Sequence, residues 1–522
     1  MPQFPPIIFG LAFAALVVAL SALARRLPIP TPILQLAAGF AVALTPGVGI
    51  PDLDPDLVFF VFLPPIIWSA AMFTSPREFG KYFRSISVLS VVLVVVTAVS
   101  VAIAARVLMP GIPWAVAFAL GAIVSPPDAV AATTIVSRLP VPRRVITILE
   151  GESLVNDATA LVLYRTAVAA AVVGQFSWGE TVVRFFIDSG IGILIGLLVG
   201  WLIIRAARVT KDALAETLLT LAGPYVAWLT AETVHVSAVL AAVAGGLYVQ
   251  RKLSVAVGPA SRLQIRAVWD IVVFLLNASV FLLLGAQFGS LLGEIQGRSI
   301  AHVFKAGAII AAVAIVVRLV CVPLAVVLRL TTGGGIAALR QRWKAVFLVM
   351  WTSMRGVVSL ATALALPRAL ANGTPFPYRS EIILITMCVI VATLVIQGMS
   401  LAPIIRAFDF EPEQQHLEEE RLARREATRR GAEALEDLAH EDWVDSRDVE
   451  ALRAEVRERA RMTDQRGGNH VGRRRLRLGM IAAERRMLIR LRNEGAISDE
   501  VLRNLEQELD LEAVRTGASD ET

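Results

Sequence analysis

Two acidic clusters set in apolar sequence carry the chemistry open to this chain. Ser125-Pro126-Pro127-Asp128 lies inside the apolar run from Trp114 to Val136. Glu150-Gly151-Glu152-Ser153-Leu154-Val155-Asn156-Asp157 heads the next run, which ends near Val173. Carboxylates at membrane depth are costly, and they persist where they pair, line a watery cavity or bind an ion. Two adjacent prolines remove two N–H donors, so the backbone is predicted to open beside Asp128. Ser153 and Asp157 are four residues apart and share one helix face. With Asp128 and a freed carbonyl at Pro127, they offer the several oxygens that a hard cation such as Na⁺ requires. The expected metal ligands are therefore Asp157, Asp128 and Ser153, with Pro127 and Asn156 completing the site. For Ser153 and Asn156 a plainer role stays open, as hydrogen-bonding glue between helices.

Two arginines also sit at depth. Arg318 lies in the middle of Ala311–Val322, too far from either end to snorkel, and a guanidinium does not deprotonate. It requires an anion, and Glu152 is the nearest candidate that lies beside, not on, the Ser153/Asp157 face. A structural ion pair is expected there; the alternative is Arg318 as an anion-binding group. Arg355, next to Gly356, falls where another span is expected to unwind. A cation there would neutralise half-helix C-termini, and Asp128 would do the reverse for N-termini; a simple pairing of Arg355 with another acid is the competing reading. Asp270 reads as a partner for a loop arginine, His235 as structural, and Glu216 and Glu232, near span ends, as solvated.

The elements that must position these groups are membrane spans. Of 522 residues, 56% are hydrophobic, and the mean hydropathy is +0.65, above the range of soluble domains. About thirteen runs approach the ~20 residues a span needs: 6–24, 31–45, 56–73, 86–109, 114–137, 145–173, 181–206, 214–233, 236–250, 268–289, 302–330, 344–366 and 379–405. The first precedes Arg25-Arg26, the reverse of a cleaved signal's order, so it is expected to remain. Arginine and lysine concentrate after odd-numbered spans, which predicts an outside N-terminus and a cytoplasmic tail. The net charge of +6 splits between those loops and residues 408–522, so it does not imply nucleic acid. Cys321 and Cys388 lie in apolar runs, and no disulfide framework is implied.

The expected fold is thus an all-α polytopic membrane protein with a transmembrane domain over 1–407 and a charged helical cytoplasmic tail over 408–522. Span 5, broken at Pro126-Pro127, and span 12, carrying Trp351-Thr352-Ser353-Met354-Arg355-Gly356, occupy equivalent places if spans 1–6 and 8–13 are inverted repeats. Paired interrupted, crossing helices are the sequence pointer to a transporter site. In the tail, Glu and Arg mix at helical spacing, Gly467-Gly468-Asn469 interrupts, and Ser498 is placed to cap a last helix. A solvated, partly helical tail is the alternative, and Arg473–Arg477 could touch anionic lipid headgroups.

Phe62-Leu63-Pro64-Pro65-Ile66-Ile67, Ser125–Ala131, Glu152–Asp157 and Met354-Arg355-Gly356-Val357-Val358-Ser359-Leu360, in this order, resemble the monovalent cation:proton antiporters of the sodium/proton exchanger type. The segment Gly495–Leu511 resembles bacterial members. The resemblance implies a homodimer of thirteen-span protomers in the cell membrane, with Asp157 carrying the exchanged ion, Asp128 and Ser153 assisting, and a Glu152–Arg318 pair. It implies exchange of a monovalent cation (Na⁺ first, K⁺ or Li⁺ open) for H⁺ without a cofactor, a part in pH regulation, and no enzymatic activity. The Asn156-Asp157 pair marks the electroneutral branch. Where many relatives carry an acid after Leu-Pro-Pro, this chain has Trp68-Ser69-Ala70-Ala71. A cation channel or a non-transporting membrane receptor remains the alternative. An intramembrane aspartyl protease is disfavoured, because the chain contains no Gly-Asp dipeptide.

Overall fold

The computed structural model describes residues 6–24, 31–45, 55–74, 76–128, 136, 139, 141–173, 178–294, 300–328, 335, 340, 342–410, 414–441, 444–464, 470–494, 496 and 499–515. All regular elements among them are helices, and the chain divides into two compact units, Met1–Pro412 and Glu413–Thr522. In the first unit the helices are α1 (Pro6–Ala24), α2 (Thr31–Ala43), α3 (Pro55–Phe73), α4 (Pro76–Leu108), α5 (Trp114–Val124), α6 (Arg143–Val173) and α7 (Trp178–Thr210). They continue with α8 (Ala213–Thr233), α9 (Ala238–Ala256), α10 (Pro259–Glu294), α11 (Ile300–Val327), α12 (Trp343–Trp351), α13 (Val357–Leu364), α14 (Arg379–Thr393) and α15 (Met399–Phe408). A π turn at Leu394–Gly398 joins α14 to α15.

Among the described residues, five helical segments are long and apolar enough to cross a membrane. On α4 the exposed residues Val91, Val95, Val99, Ile103 and Val107 recur at helical spacing, while Val94, Ala98, Val101, Ala102 and Ala105 are buried. An apolar stretch of helix with one exposed apolar face suits hydrocarbon on one side and protein on the other.

The helices of the first unit pack in two sets. One set contains α4, α5, α6, α11, α12, α13 and α14; the other contains α2, α3, α7, α8, α9 and α10, with α1 against α2 and α10. Packing inside each set is dense, and the sets meet along α3, α10, α13 and α14, with lighter contacts of α6 with α3 and α9 and of α4 with α9. Small residues allow the tightest contacts, as expected where packing replaces the hydrophobic effect as the driving force. A side chain at Gly196 of α7 would lie 2.1 Å from the Ala241 carbonyl of α9, and one at Gly39 of α2 would lie 2.1 Å from Leu282 O of α10. Trp68 is fully buried in the space left by Gly223 and Gly245. A bulky ring therefore occupies the position after Leu-Pro-Pro where an acid was considered.

Pro64 and Pro65 leave α3 unbroken, in line with the single run expected over 56–73. Pro65 cannot donate to the Val61 carbonyl four residues back, and the Tyr225 hydroxyl donates to it instead, at 3.3 Å. α4 and α10 extend well beyond their apolar runs, because polar residues continue a helix beyond its hydrophobic part. Arg25 and Arg26, the cations after the first span, lie outside the described residues.

In the second unit, α16 (Gln414–Leu438) pairs with α17 (Ser446–Asp464) and α18 (His470–Asn493) with α19 (Asp499–Arg515). Arg453 bonds Glu436 across the first pair, and Arg477 reaches Glu512 at 2.6 Å across the second. The Arg453 hydrogen bond holds the Glu436 carboxyl below its usual range. Residues 467–469 and Ser498, where a break and a cap were expected, lie outside the described residues.

Gly190 and Gly196 of α7 give a matched test of the small-residue contact. Gly190→Ala meets nothing within 4 Å and should leave thermal stability unchanged. Gly196→Val should cost about 1–3 kcal/mol by overpacking and lower the melting temperature of the detergent-purified protein.

Candidate ion site at two broken helices

Two helix breaks face each other. α5 stops at Val124, where Ser125 closes the last turn by donating its N–H to Gly121 O at 3.0 Å. Pro126 to Asp128 then continue without helical structure, as a Pro-Pro pair requires in the absence of substitute donors. α12 stops at Trp351, residues 352–356 are open, and α13 starts at Val357. The open segments touch: the Asp128 N–H donates to Met354 O at 2.7 Å.

Each exposed helix end is matched by a charge from elsewhere in the chain. The N-cap of α13 is Gly356, which has no side chain to cap with. Asp128 Oδ2 accepts the Val357 N–H in its place, at 3.2 Å, which puts an anion at the positive end of a helix. A side chain at Gly356 would overlap the Asp128 carboxylate, so glycine is required for this close approach. At the C-terminal end of α5, the buried Arg355 donates from Nε to Val124 O at 2.6 Å and from Nη1 to Ser353 O. At the C-terminal end of α12, Arg318 donates to Val349 O at 3.1 and 2.8 Å. The two arginines thus do the same work at the two corresponding helix ends.

Arg318 also forms a two-pronged ion pair with Glu152 of α6: Nη1 to Oε1, and Nη2 to Oε2 at 2.8 Å. Both side chains are 1% exposed. Ser90 Oγ of α4 donates to Glu152 O at 3.2 Å, and Asn156 Nδ2 to Glu152 Oε1 at 3.3 Å. Among the described residues, the buried Asn156 Oδ1 has no hydrogen-bond partner. Asn156 therefore turns its amide toward Glu152 on its own helix, a contact within α6 and not between helices, and leaves a carbonyl oxygen available.

Asp157 lies on α6 within electrostatic reach of Asp128. It is half-buried and, among the described residues, makes no hydrogen bond, so its carboxylate is not committed to a cap. Ser153 is one turn earlier on α6, half-buried and with a partner of its own. Pro127 is buried in the open segment beside Asp128. No group of three or more His, Cys, Asp or Glu side chains gathers among the described residues. A multidentate divalent site is thus absent there, and two carboxylates with neutral oxygens suit a singly charged hard cation.

Sequence reasoning missed several participants. On the π turn, Gln397 Nε2 donates to Ser353 Oγ at 2.8 Å, and one turn earlier Thr393 Oγ1 accepts the Arg355 N–H at 3.1 Å. The polar Gln397-Gly398 step inside an apolar run was the available signal. Glu216 is buried, 3% exposed, on the row with Thr220 and Gly223, and was wrongly read as solvated. Because α8 begins at Asp212, whose carboxylate accepts the Ala215 N–H, Glu216 falls inside the first turn on the packed face. Glu232, also read as solvated, pairs with Arg165. Asp270 is exposed and forms no ion pair among the described residues. His235 sits in an exposed turn with φ 57°.

The family model described as "Sodium/hydrogen exchanger, transmembrane" matches residues 12–407. An uncharacterized Na⁺/H⁺ exchanger of Mycobacterium tuberculosis is 34% identical over 532 residues, covering 98% of this chain and 96% of that protein. A sodium, potassium, lithium and rubidium/H⁺ antiporter of Bacillus subtilis is 32% identical over 390 residues, covering 72% of this chain and 58% of its own. The solved sodium proton antiporter MjNhaP1 of Methanocaldococcus jannaschii at pH 8 overlays with a TM-score of 0.59, at 20% identity, covering 76% of this chain and 96% of that one. That last likeness concerns the fold alone.

Removing one partner of the buried pair leaves an uncompensated charge. Glu152→Gln and Arg318→Gln should each cost roughly 3–5 kcal/mol, with the double variant recovering part of the sum; thermal melts of the three variants measure this. Gly356→Ala should displace the Asp128 carboxylate and lower exchange more than it lowers the melting temperature.

Proposed function

The chain belongs to the sodium/hydrogen exchanger family, and from that premise we propose that it is a secondary antiporter trading one monovalent cation for one proton by alternating access. It is a multi-pass, all-helical membrane protein. The observation that carries the reading is Asp157: a carboxylate without a cap to make, beside Asp128, where two helices break. A carboxylate stripped of water takes a proton or a cation, and the two compete for the same oxygens. Asp128, Ser153 and the backbone at Pro127 complete the cation's shell. Asn156, Glu152, Arg318 and Arg355 hold the geometry, and no cofactor takes part.

Na⁺ is the first choice of cation. K⁺ and Li⁺ remain substrates to be tried, since the Bacillus subtilis relative is named for sodium, potassium, lithium and rubidium. The finer architecture belongs to the same proposal: about thirteen spans in inverted repeats, a homodimer in the plasma membrane, an outside N-terminus and a cytoplasmic tail over 408–522. Regulation of internal pH is the physiological role that fits. A channel is disfavoured, because the paired interrupted helices and the buried Glu152–Arg318 pair favour a carrier.

Asn156 is neutral, so a single titrating carboxylate dominates the cycle and the loaded carrier has the same charge with Na⁺ or H⁺. The membrane potential then does no work on the crossing step. In sealed vesicles, adding Na⁺ should drive proton movement at a rate unchanged by an imposed potassium–valinomycin potential. Asp157→Asn should abolish that movement while the protein still elutes as a folded species. A voltage-dependent rate would require a second titrating group, and normal exchange by Asp157→Asn would remove the central residue from the mechanism.

A further inference from the structure

The two helix sets of the membrane unit meet lightly, yet an ion pair bridges them well away from the ion site. Arg165 of α6 donates to Glu232 Oε1 near the end of α8. α6 packs mainly with α4 and α5 and only lightly with α3 and α9 of the second set, whereas α8 packs with α3, α7, α9 and α10. The Arg165 guanidinium is also held between two rings of the second set, 5.3 Å from the Phe59 centroid and 5.8 Å from that of Trp228. Those rings contact each other edge-on at 5.4 Å.

Position and strength together suggest a purpose. Arg165 lies eight residues beyond Asp157, about 12 Å further along the helix axis and away from the Arg143 end of α6. The pair therefore stands on one side of the ion site, across the seam between the sets. Its side chains are 36% and 41% exposed, so the pair is not sealed inside the bundle. A partly exposed ion pair makes poor permanent glue, because such pairs shift an equilibrium by only a few-fold. An interaction of that size is suited to being broken and remade in every cycle. The aromatic seat adds a preferred geometry for the closed position.

We propose that Arg165 and Glu232 form a reversible latch that closes one face of the ion site, and that releasing it opens that face during exchange. Both are positioning residues, which act on Asp157 through the relative placement of the two helix sets. The inference rests on the alternating-access reading above. In one arrangement the latch is made and the site is sealed on the Arg165 side. In the other, α6 has moved with its set, Glu232 stays with the second set, and water reaches Asp157 past Phe59 and Trp228.

The test reconstitutes the full chain into vesicles of one orientation and adds Na⁺ to either face. The readout is the ratio of half-saturating Na⁺ at the two faces, which a merely structural role would not change. Arg165→Gln and Glu232→Gln should each lower half-saturating Na⁺ at the latch face relative to the other by about two- to fivefold. Arg165→Glu combined with Glu232→Arg restores the pair in reverse and should return the ratio toward the parent value. An unchanged ratio in both single variants, or a reversed pair no closer to the parent than they are, overturns the latch. As a second measurement, Arg165→Cys with Glu232→Cys, bridged by a short cleavable thiol cross-linker, should stop exchange until the linker is cut. The parent, carrying only Cys321 and Cys388, is treated in parallel. Full-rate exchange while bridged overturns the latch as well. A parent that moves no protons on adding Na⁺ refutes the antiport reading itself, so the two failures are distinguishable.

Discussion

An open backbone inside an apolar bundle must be satisfied by the protein, because the surrounding hydrocarbon offers nothing. Breaking α5 after Val124 and α12 after Trp351 creates that need twice, and charged side chains meet it. Asp128 caps α13, Arg355 caps α5, and Arg318 caps α12. Arg318 is tolerated at 1% exposure because Glu152 neutralises it with both oxygens. Thr393 and Gln397 then bond the strand between α12 and α13. With these charges committed, Asp157 is left with an unassigned carboxylate, and an uncommitted acid at such a place is what an exchanged ion needs.

The same constraint explains what was legible in the sequence. A guanidinium in mid-span demands an acid, so the Glu152–Arg318 contact followed from residue types. The opening at Pro126-Pro127 followed from missing donors. The same logic applied to Pro64-Pro65 would have misled, because Tyr225, some 160 positions away, replaces the lost hydrogen bond. Contacts supplied by distant residues were the hidden part: Gln397 to Ser353, Arg165 to Glu232, and the burial of Glu216 each depend on which helices become neighbours. Periodicity placed the helices well and their ends poorly, since α4 and α10 run on through polar sequence.

The proposed carrier must present such a site to either side. Glycines let α7 and α9, and α2 and α10, approach to backbone contact, as Gly121 does for α5 against α4 in the first set. The ion site and its capping charges lie in the first set, apart from the contacts along α3 and α10. Close packing within each set would let the site shift without being remade. The Arg165–Glu232 contact, outside the capped network and half-exposed, is the kind of link that can be lost in such a shift at small cost.

The central claim is that one carboxylate, Asp157, serves cation and proton in turn. Its most direct test is the half-saturating Na⁺ concentration of exchange, measured in vesicles across the acid range. Competition for one site predicts that half-saturating Na⁺ rises about tenfold for each unit of acidification below the site's titration point, one proton displacing one cation. Half-saturating Na⁺ that stays constant while pH changes the maximal rate alone would contradict a shared site.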